Sequence, residues 1–133
     1  MDSILIVEDD IKLCATLSED LNEIGYYTHF VNSADEAIDY LNTSTVDLVL
    51  LDIKMPDKNG FYVIDHINNS NYNPRVIILT ANVDVDSAIE SAKLGVDDFL
   101  RKPYDFDELL ITVRRVLQKE VYELRKKLDE AET

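Results

Sequence analysis

The chain alternates between short apolar runs and longer stretches in which apolar residues recur every three or four positions. Three runs are almost uninterrupted: Ile4 to Val7, Val46 to Leu51 and Val76 to Leu79. Runs of this kind are typical of parallel strands covered on both faces, so we predict three central strands. Two runs that mix polar and apolar residues, Tyr26 to Val31 and Asp97 to Leu100, are predicted as edge strands.

Amphipathic stretches with helical spacing separate these strands. The first begins at Ile11 and ends at Gly25, because glycine adopts the left-handed C-cap conformation readily. The second opens with Ser33 and Glu36, which form a capping box, and a third follows Gly60. The two remaining predicted helices run from about Asp84 to Leu94 and from near Asp105 almost to the C-terminus.

Strand and helix therefore alternate five times, which predicts an α/β fold: a doubly wound, five-stranded parallel sheet with five helices. The flavodoxin-like strand order 2-1-3-4-5 puts the three apolar strands inside and the two mixed strands at the edges. A chain of 133 residues suffices for one domain. We expect that domain over residues 1–118 and a helical extension or linker over residues 119–133.

The predicted extension carries a short heptad seam. Val121, Leu124, Leu128 and Ala131 follow Leu117 at spacings of 4, 3, 4 and 3. About two heptads are fewer than the three or four that identify a coiled coil. We interpret the extended last helix as one that dimerises or leads to an effector domain, and a solvated terminal helix is the alternative.

Composition excludes several classes of protein. The 13 Lys and Arg against 27 Asp and Glu give a net charge of -14, which repels nucleic acid and anionic membranes. The one cysteine, Cys14, cannot form a disulfide framework and is expected to be buried and inert. Neither of the common glycine-rich phosphate-binding motifs is present. Without a signal peptide or a long apolar run, we expect a cytoplasmic protein.

Polar residues stand at the ends of four predicted strands. Asp9 and Asp10 follow the first, Asp52 ends the third, Thr80 ends the fourth and Lys102 follows the fifth. Because the carboxyl ends of parallel strands line one crevice, we expect these side chains to converge. Acids near a hydroxyl and an ammonium group favour phosphoryl chemistry around a hard cation such as Mg²⁺.

Asp52 is the candidate nucleophile, because a carboxylate without a function would destabilise the fold at the end of the most apolar strand. Its carboxylate can attack phosphorus to form an acyl phosphate. The expected oxygen ligands of Mg²⁺ are Asp10, with or without Asp9, then Asp52 and the main-chain carbonyl two residues later, that of Lys54. Alternatively, the acidic pair is a solvated turn that caps the next helix, and Thr80 is structural.

Four segments, taken in order, resemble the receiver domains of two-component response regulators: Val7-Glu8-Asp9-Asp10, Leu50 to Asp57, Leu79-Thr80-Ala81 and Phe99 to Pro103. The resemblance extends from about Ser3 to Gln118. It implies that a histidine kinase or phosphotransfer protein donates a phosphoryl group to Asp52. It also implies that Asp9, Asp10 and the Lys54 carbonyl hold Mg²⁺. A receiver domain of this kind is a phosphoacceptor switch rather than an enzyme.

The same resemblance implies roles around the phosphorylation site. Thr80 and Phe99 are the implied switch pair, Lys102 contacts the phosphoryl group, and the Lys102–Pro103 bond is cis. The surface formed by the fourth helix, fifth strand and fifth helix then controls dimerisation or an effector. We further expect Lys54 and Asn82 to tune the lifetime of the acyl phosphate.

Two other classes of protein share parts of this pattern. Phosphatases of the haloacid dehalogenase type also use Asp, Thr or Ser, and Lys, but place a second acid two residues after the nucleophile, where this chain has Lys54. A flavodoxin-like cofactor binder is disfavoured by the acidic crevice. His29 and His66 indicate no catalytic triad, since no suitable Ser or Cys accompanies them.

Overall fold

A computed structural model describes residues 2–71, 73–81 and 95–132, with the side chains of residues 119–123 and 132 excluded. The strands are β1 (Ser3–Val7), β2 (Tyr27–Val31), β3 (Leu48–Asp52), β4 (Arg75–Thr80) and β5 (Asp98–Arg101). The described helices are α1 (Ile11–Ile24), α2 (Ala34–Thr43), α3 (Phe61–Asn68) and the C-terminal helix (Phe106–Glu132). The predicted helix from Asp84 to Leu94, and Asn82, lie outside the described residues.

The five strands form one parallel sheet in the order β2-β1-β3-β4-β5, which confirms the predicted order. Every residue of β3 is buried, whereas β2 alternates between exposed and covered positions. Central strands are covered by helices on both faces and must be apolar throughout, while an edge strand tolerates polar residues. The hydrophobic pattern therefore specified the strand order.

Alternate residues of the strands pack into two separate apolar layers. On one face, Leu5, Val49 and Ile78 pack with the buried sides of α2 and α3. On the other face, Leu50 and Ile77 pack with the buried sides of α1 and the C-terminal helix. Within the described residues, the sheet thus lies between α2 and α3 on one face and α1 and the C-terminal helix on the other, and the carboxyl ends of its strands meet at one edge.

The C-terminal helix is longer than the domain requires. Its 27 residues span roughly 40 Å at the rise of an α-helix. Leu109, Val113 and Val116 are buried against the sheet, whereas residues 124–131 are all exposed. The extension of the last helix is therefore confirmed. No described helix is long and apolar enough to cross a bilayer.

Candidate functional site

The end of β1 delivers three consecutive acids in three different environments. Glu8 is buried, and Asp9 and Asp10 are exposed. The Glu8 main chain is fixed on both sides, since its N–H donates to the Val31 carbonyl (3.1 Å) and its carbonyl accepts from Asn32 Nδ2 (2.9 Å). This anchoring directs the Glu8 side chain into the crevice instead of toward solvent.

Asp10 caps helix α1. Its backbone is extended, and its Oδ1 accepts a hydrogen bond from the Leu13 N–H at 3.2 Å. This is the bond that an N-cap residue makes to an otherwise unpaired donor of the first helical turn. The Asp10 carboxylate is thereby occupied with the helix terminus.

Three carboxylates meet at the carboxyl edge of the sheet. One oxygen atom each of Glu8, Asp9 and Asp52 lies within 4.8 Å of the others, the spacing expected of groups that share one cation. Asp52 is the last residue of β3 and is only 7% exposed. We predicted Asp9, Asp10 and Asp52 as the acids of the site, and the structure groups Glu8 with Asp9 and Asp52 in place of Asp10.

Lys102 supplies the positive charge of this cluster. Its Nζ lies 3.2 Å from Glu8 Oε1 and 3.4 Å from Asp52 Oδ2. The backbone that presents it is fixed by a bond from the Lys102 N–H to the Thr80 carbonyl (2.7 Å), and the Lys102–Pro103 bond is cis. Burial alone would lower the pKa of Lys102, but Asp52 and Glu8 outweigh it and raise that pKa, so the ammonium stays charged.

The surroundings of Glu8 perturb its carboxyl group strongly. Burial, reinforced by the neighbouring Asp52, raises the pKa of Glu8 from 4.5 to about 8, although Lys102 opposes the rise. Its Oε2 is buried and has no hydrogen-bond partner within the described part of the chain. One ammonium group therefore leaves the Glu8–Asp52 pair incompletely neutralised. A buried, unpartnered carboxylate oxygen beside two further carboxylates fits a hard divalent cation such as Mg²⁺.

The segment after β3 fixes the position of the Asp52 side chain. Asp52 Oδ1 accepts a hydrogen bond from the Lys54 N–H at 3.1 Å, and the Gly60 N–H donates to the Ile53 carbonyl at 2.7 Å. A Cβ at Gly60 would come within 2.9 Å of the Asp52 carbonyl oxygen. The loop can therefore close behind Asp52 only because residue 60 lacks a side chain.

Thr80 and Phe99 occupy neighbouring strands at the same edge. Thr80 ends β4 and is 2% exposed. Phe99 lies in β5 opposite Ile78 and is half-buried against the layer that contains α2 and α3. The two residues are thus out of register, with Arg101 opposite Thr80. Their environments suit a buried hydroxyl near the site and a ring at the sheet edge.

Sequence reasoning missed two residues that shape the site, Glu8 and Gly60. A usable signal existed for the first: Asp10 stands directly before Ile11, where the predicted helix begins, and Asp is a favoured N-cap residue, so its carboxylate could have been assigned to the helix terminus. That leaves Glu8 and Asp9 for the crevice. For Gly60 the sequence indicated only that the third helix follows it, because its contact with Asp52 depends on how the loop folds back.

Comparison with known proteins matches the sequence of this chain to a known family. The profile of the "Response regulator receiver domain" family matches residues 4–114. The probable transcriptional regulatory protein SilR of Salmonella typhimurium is 38% identical over 116 residues, which are 87% of this chain and 51% of SilR. The transcriptional regulatory protein ZraR of Klebsiella oxytoca is 38% identical over 86% of this chain and 26% of its own length. The chain thus spans about half of the first relative and a quarter of the second.

Solved structures of response regulators share the fold of this chain at 31% and 32% sequence identity. The Francisella response regulator 1452 receiver domain has a TM-score of 0.81 and 31% identity, covering 90% of this chain and 99% of its own. The response regulator TrrA of Thermotoga maritima, solved in complex with Mg(2+)-BeF, has a TM-score of 0.78 and 32% identity. That comparison covers 87% of this chain and 99% of TrrA.

Proposed function

Because this chain belongs to the response regulator receiver domain family, we propose that Asp52 accepts a phosphoryl group in a Mg²⁺-dependent reaction. The function of the family is that of a phosphoacceptor switch in two-component signalling. One observation carries the assignment to Asp52: its buried carboxylate lies 3.4 Å from Lys102 Nζ and within 4.8 Å of two further carboxylates. This combination of a buried position, an ammonium group and neighbouring acids suits a nucleophilic carboxylate.

The reaction is a displacement at phosphorus. An Asp52 carboxylate oxygen forms the new bond to phosphorus, and the bond from phosphorus to the histidine nitrogen of the donor breaks, with the nitrogen keeping the electron pair. Lys102 pairs with Asp52 before transfer and with the phosphoryl oxygens afterwards. Glu8, Asp9, Asp52 and the Lys54 carbonyl would hold Mg²⁺, which would supply positive charge to offset the negative charge of the transferred phosphoryl group. The Mg(2+)-BeF complex of TrrA supports this choice of ion.

Thr80 and Phe99 transmit the effect of Asp52 phosphorylation to the rest of the domain. A hydroxyl bond from Thr80 to a phosphoryl oxygen contributes about 1 kcal/mol, and a charge-assisted bond from Lys102 roughly 1.5 to 3 kcal/mol. Full inversion of a 1:99 equilibrium needs about 5.5 kcal/mol. The site alone therefore falls short, so either the active shape is partly populated beforehand or a partner or dimer contact completes the shift.

The donor is a histidine kinase or a phosphotransfer protein, and the output acts through a surface of the domain rather than through nucleic acid or membrane binding by this chain. Its net charge of -14 supports that exclusion. The output surface is either the one formed by the predicted fourth helix, β5 and the start of the C-terminal helix, or the extension over residues 119–133. Longer relatives such as SilR support an attached effector, and a cytoplasmic location fits these partners.

The test is phosphorylation of the metal-loaded protein by acetyl phosphate, with the modified residue located by mass spectrometry. Wild type should be modified at Asp52 only in the presence of Mg²⁺, and Asp52→Asn should not be modified. Asp10→Asn is the matched control, because Asn keeps the N-cap of α1 while removing a charge two residues from Glu8. Modification at another residue, or undiminished modification of Asp52→Asn, would contradict the proposal.

A further inference from the structure

Two buried side-chain atoms in the described part of the chain have no hydrogen-bond partner: Glu8 Oε2 and the hydroxyl oxygen of Tyr104. The charged carboxylate can only accept a hydrogen bond, whereas the hydroxyl can donate one and accept one. Buried polar groups are nearly always paired, so each unpaired group calls for an explanation. The cation proposed above accounts for the carboxylate oxygen, but the proposed reaction does not yet use the hydroxyl.

The main chain on both sides of Tyr104 is fixed. Two residues earlier, the Lys102 N–H donates to the Thr80 carbonyl at 2.7 Å. One residue later, Asp105 Oδ1 accepts from the Glu108 N–H at 2.8 Å, at the start of the C-terminal helix. The ring of Tyr104 is half-buried and packs against the apolar layer that contains α1 and the C-terminal helix. The side chain is therefore held in the protein, with its hydroxyl shielded from solvent.

The charges of the carboxylate edge act on this hydroxyl. Burial is the largest cause that raises the pKa of Tyr104. The Lys102 ammonium opposes the rise, and the carboxylates of Glu8 and Asp52 add to it. These three groups are the ones that pair with each other at the end of the sheet. Because the pKa is raised, the hydroxyl keeps its proton and remains a hydrogen-bond donor.

Phosphoryl transfer changes the partners of Glu8. Before transfer, Lys102 Nζ lies 3.2 Å from Glu8 Oε1 and 3.4 Å from Asp52 Oδ2. A phosphoryl group on Asp52 adds roughly two negative charges and three acceptor oxygens, to which the ammonium of Lys102 moves. Glu8 Oε1 then loses its donor, and a buried carboxylate oxygen without a donor is strongly unfavourable.

We propose that the Tyr104 hydroxyl then donates to the Glu8 carboxylate in place of Lys102, which makes Tyr104 a positioning residue for the phosphorylated state. One oxygen of Glu8 accepts from the hydroxyl, and the other remains free for the cation. The hydroxyl is unpaired before transfer and paired afterwards, so the bond stabilises only the phosphorylated state and shifts the equilibrium toward it. The inference rests on the proposed function, since Lys102 leaves Glu8 only if Asp52 is phosphorylated.

The first experiment measures binding of beryllium fluoride, a non-hydrolysable mimic of a phosphoryl group on a carboxylate, at saturating Mg²⁺. Tyr104→Phe should raise the Kd for beryllium fluoride about tenfold, because a hydrogen bond to a charged group is lost. The Kd for Mg²⁺ alone should stay within about twofold of wild type, because Lys102 still pairs with Glu8 in that state. Equal weakening of both ligands would indicate a merely structural effect on Glu8 and overturn the proposal.

Tyr26→Phe is the matched control for the loss of a hydroxyl. The ring of Tyr26 packs against the same apolar layer, but it directly precedes β2, at the opposite edge of the sheet from the carboxylates. This variant should change neither Kd. A similar rise in the Kd for beryllium fluoride in Tyr26→Phe would assign the effect to the layer as a whole, and the role of Tyr104 would be refuted.

The second experiment is thermal unfolding of the unphosphorylated, metal-free chain. Tyr104→Phe should leave the midpoint unchanged or raise it, because phenylalanine keeps the packed ring and removes an unpaired buried hydroxyl. A lower midpoint would mean that the hydroxyl is already paired before phosphoryl transfer. The bond would then not distinguish the two states, and the proposal would be wrong.

The third experiment identifies the acceptor of the hydroxyl. In a Glu8→Gln background, Tyr104→Phe should raise the Kd for beryllium fluoride by only about threefold or less, because a neutral acceptor forms a bond roughly half as strong. A rise that is equally large in both backgrounds would assign the hydroxyl to another acceptor and overturn the exchange at Glu8.

The wild-type chain separates this inference from the proposed function. If acetyl phosphate does not label Asp52 and beryllium fluoride does not bind, the phosphoacceptor role fails and the role of Tyr104 falls with it. If wild type does both and Tyr104→Phe binds beryllium fluoride as tightly as wild type, only the inference about Tyr104 is overturned.

Discussion

Two regions of this chain depart in opposite directions from the usual rule that charged side chains are exposed and apolar side chains are buried. At the carboxyl edge of the sheet, Glu8 and Asp52 carry carboxylates into a nearly solvent-free environment. At the far end of the C-terminal helix, Leu124 and Leu128 hold apolar side chains in water. Charged groups are rarely buried without a partner, and exposed apolar stripes usually mark a contact surface. Each region therefore points to something that binds there.

The two regions differ in their effect on the stability of the single folded chain. Burying two acids beside one ammonium group destabilises the domain, because the carboxylates repel each other and lose water. Exposing two leucines on a helix that is anchored elsewhere leaves the folded domain almost unaffected. The site thus depends on the fold around it, whereas the exposed leucines contribute little to the stability of that fold. Substitutions in the two regions should consequently differ in their effect on stability.

Leucine truncation gives the largest expected contrast. Leu50 is fully buried in β3, so Leu50→Ala should lower the free energy of unfolding by roughly 2 to 5 kcal/mol. Leu128→Ala should change it by less than about 0.5 kcal/mol under dilute conditions. Urea denaturation of both variants at micromolar concentration measures the difference. Equal destabilisation would mean that the extension packs on the domain, and the contrast between the regions would disappear.

Gly60→Ala tests how tightly the loop closes behind Asp52. The added methyl group would lie 2.9 Å from the Asp52 carbonyl oxygen and 3.0 Å from Ile53 Cα, and main-chain atoms cannot move aside cheaply. We expect a loss of about 1 to 3 kcal/mol in the free energy of unfolding, as for other overpacked sites. Acetyl phosphate labelling of Asp52 should slow as well, because the loop presents the nucleophile. Unchanged stability and labelling would show that the loop can shift without consequence.

The sequence was sufficient to predict the sheet. The continuous apolar runs around Leu5, Leu50 and Ile77 can be satisfied only by strands covered on both faces, and the mixed run at His29 only by an edge. With five alternating units, few strand orders remain. The same pattern predicted that Asp52, Thr80 and Lys102 would meet, since each stands at or just past the end of a strand.

Which of the acids after β1 enters the crevice could not be predicted as securely, because three acids follow β1 in a row. Whether Glu8 or Asp10 enters the crevice depends on where helix α1 begins, and helix ends are the least certain part of a sequence prediction. The structure uses Asp10 as the N-cap, and Glu8 takes the buried position. The contact at Gly60 depends likewise on a loop whose shape the hydrophobic pattern does not encode.

The raised pKa of Glu8 predicts a pH dependence of stability in the metal-free protein. Its value of about 8 in the folded state exceeds 4.5, so between these values the native chain binds more protons than the unfolded chain. The free energy of unfolding should therefore fall as pH rises through this window, by at most about 1.4 kcal/mol per pH unit. Chemical denaturation in a chelator across this window, from about 4.5 to about 8, measures the slope.

Glu8→Gln should flatten that slope, because the amide has no proton to lose. Mg²⁺ should remove the slope in wild type by replacing the proton, with a larger stabilisation at high pH than at low pH. Asp10→Asn should keep the wild-type slope, because Asp10 is exposed and caps α1. A slope that persists in Glu8→Gln would assign the pH dependence to another group.

The smallest expected effect concerns which acids bind the metal. Asp9 belongs to the carboxylate cluster, so Asp9→Asn should raise the Kd for Mg²⁺ by roughly tenfold, equivalent to about 1.4 kcal/mol. Asp10→Asn should change that Kd much less, since its carboxylate accepts from Leu13 at the helix terminus and contributes only a distant charge. Isothermal titration calorimetry at one pH compares the two variants directly, and both side chains keep similar size and hydrogen-bonding capacity. If Asp10→Asn weakened the metal more than Asp9→Asn, the helix cap would have to open on metal binding, and Asp10 would return to the ligand set in place of Glu8.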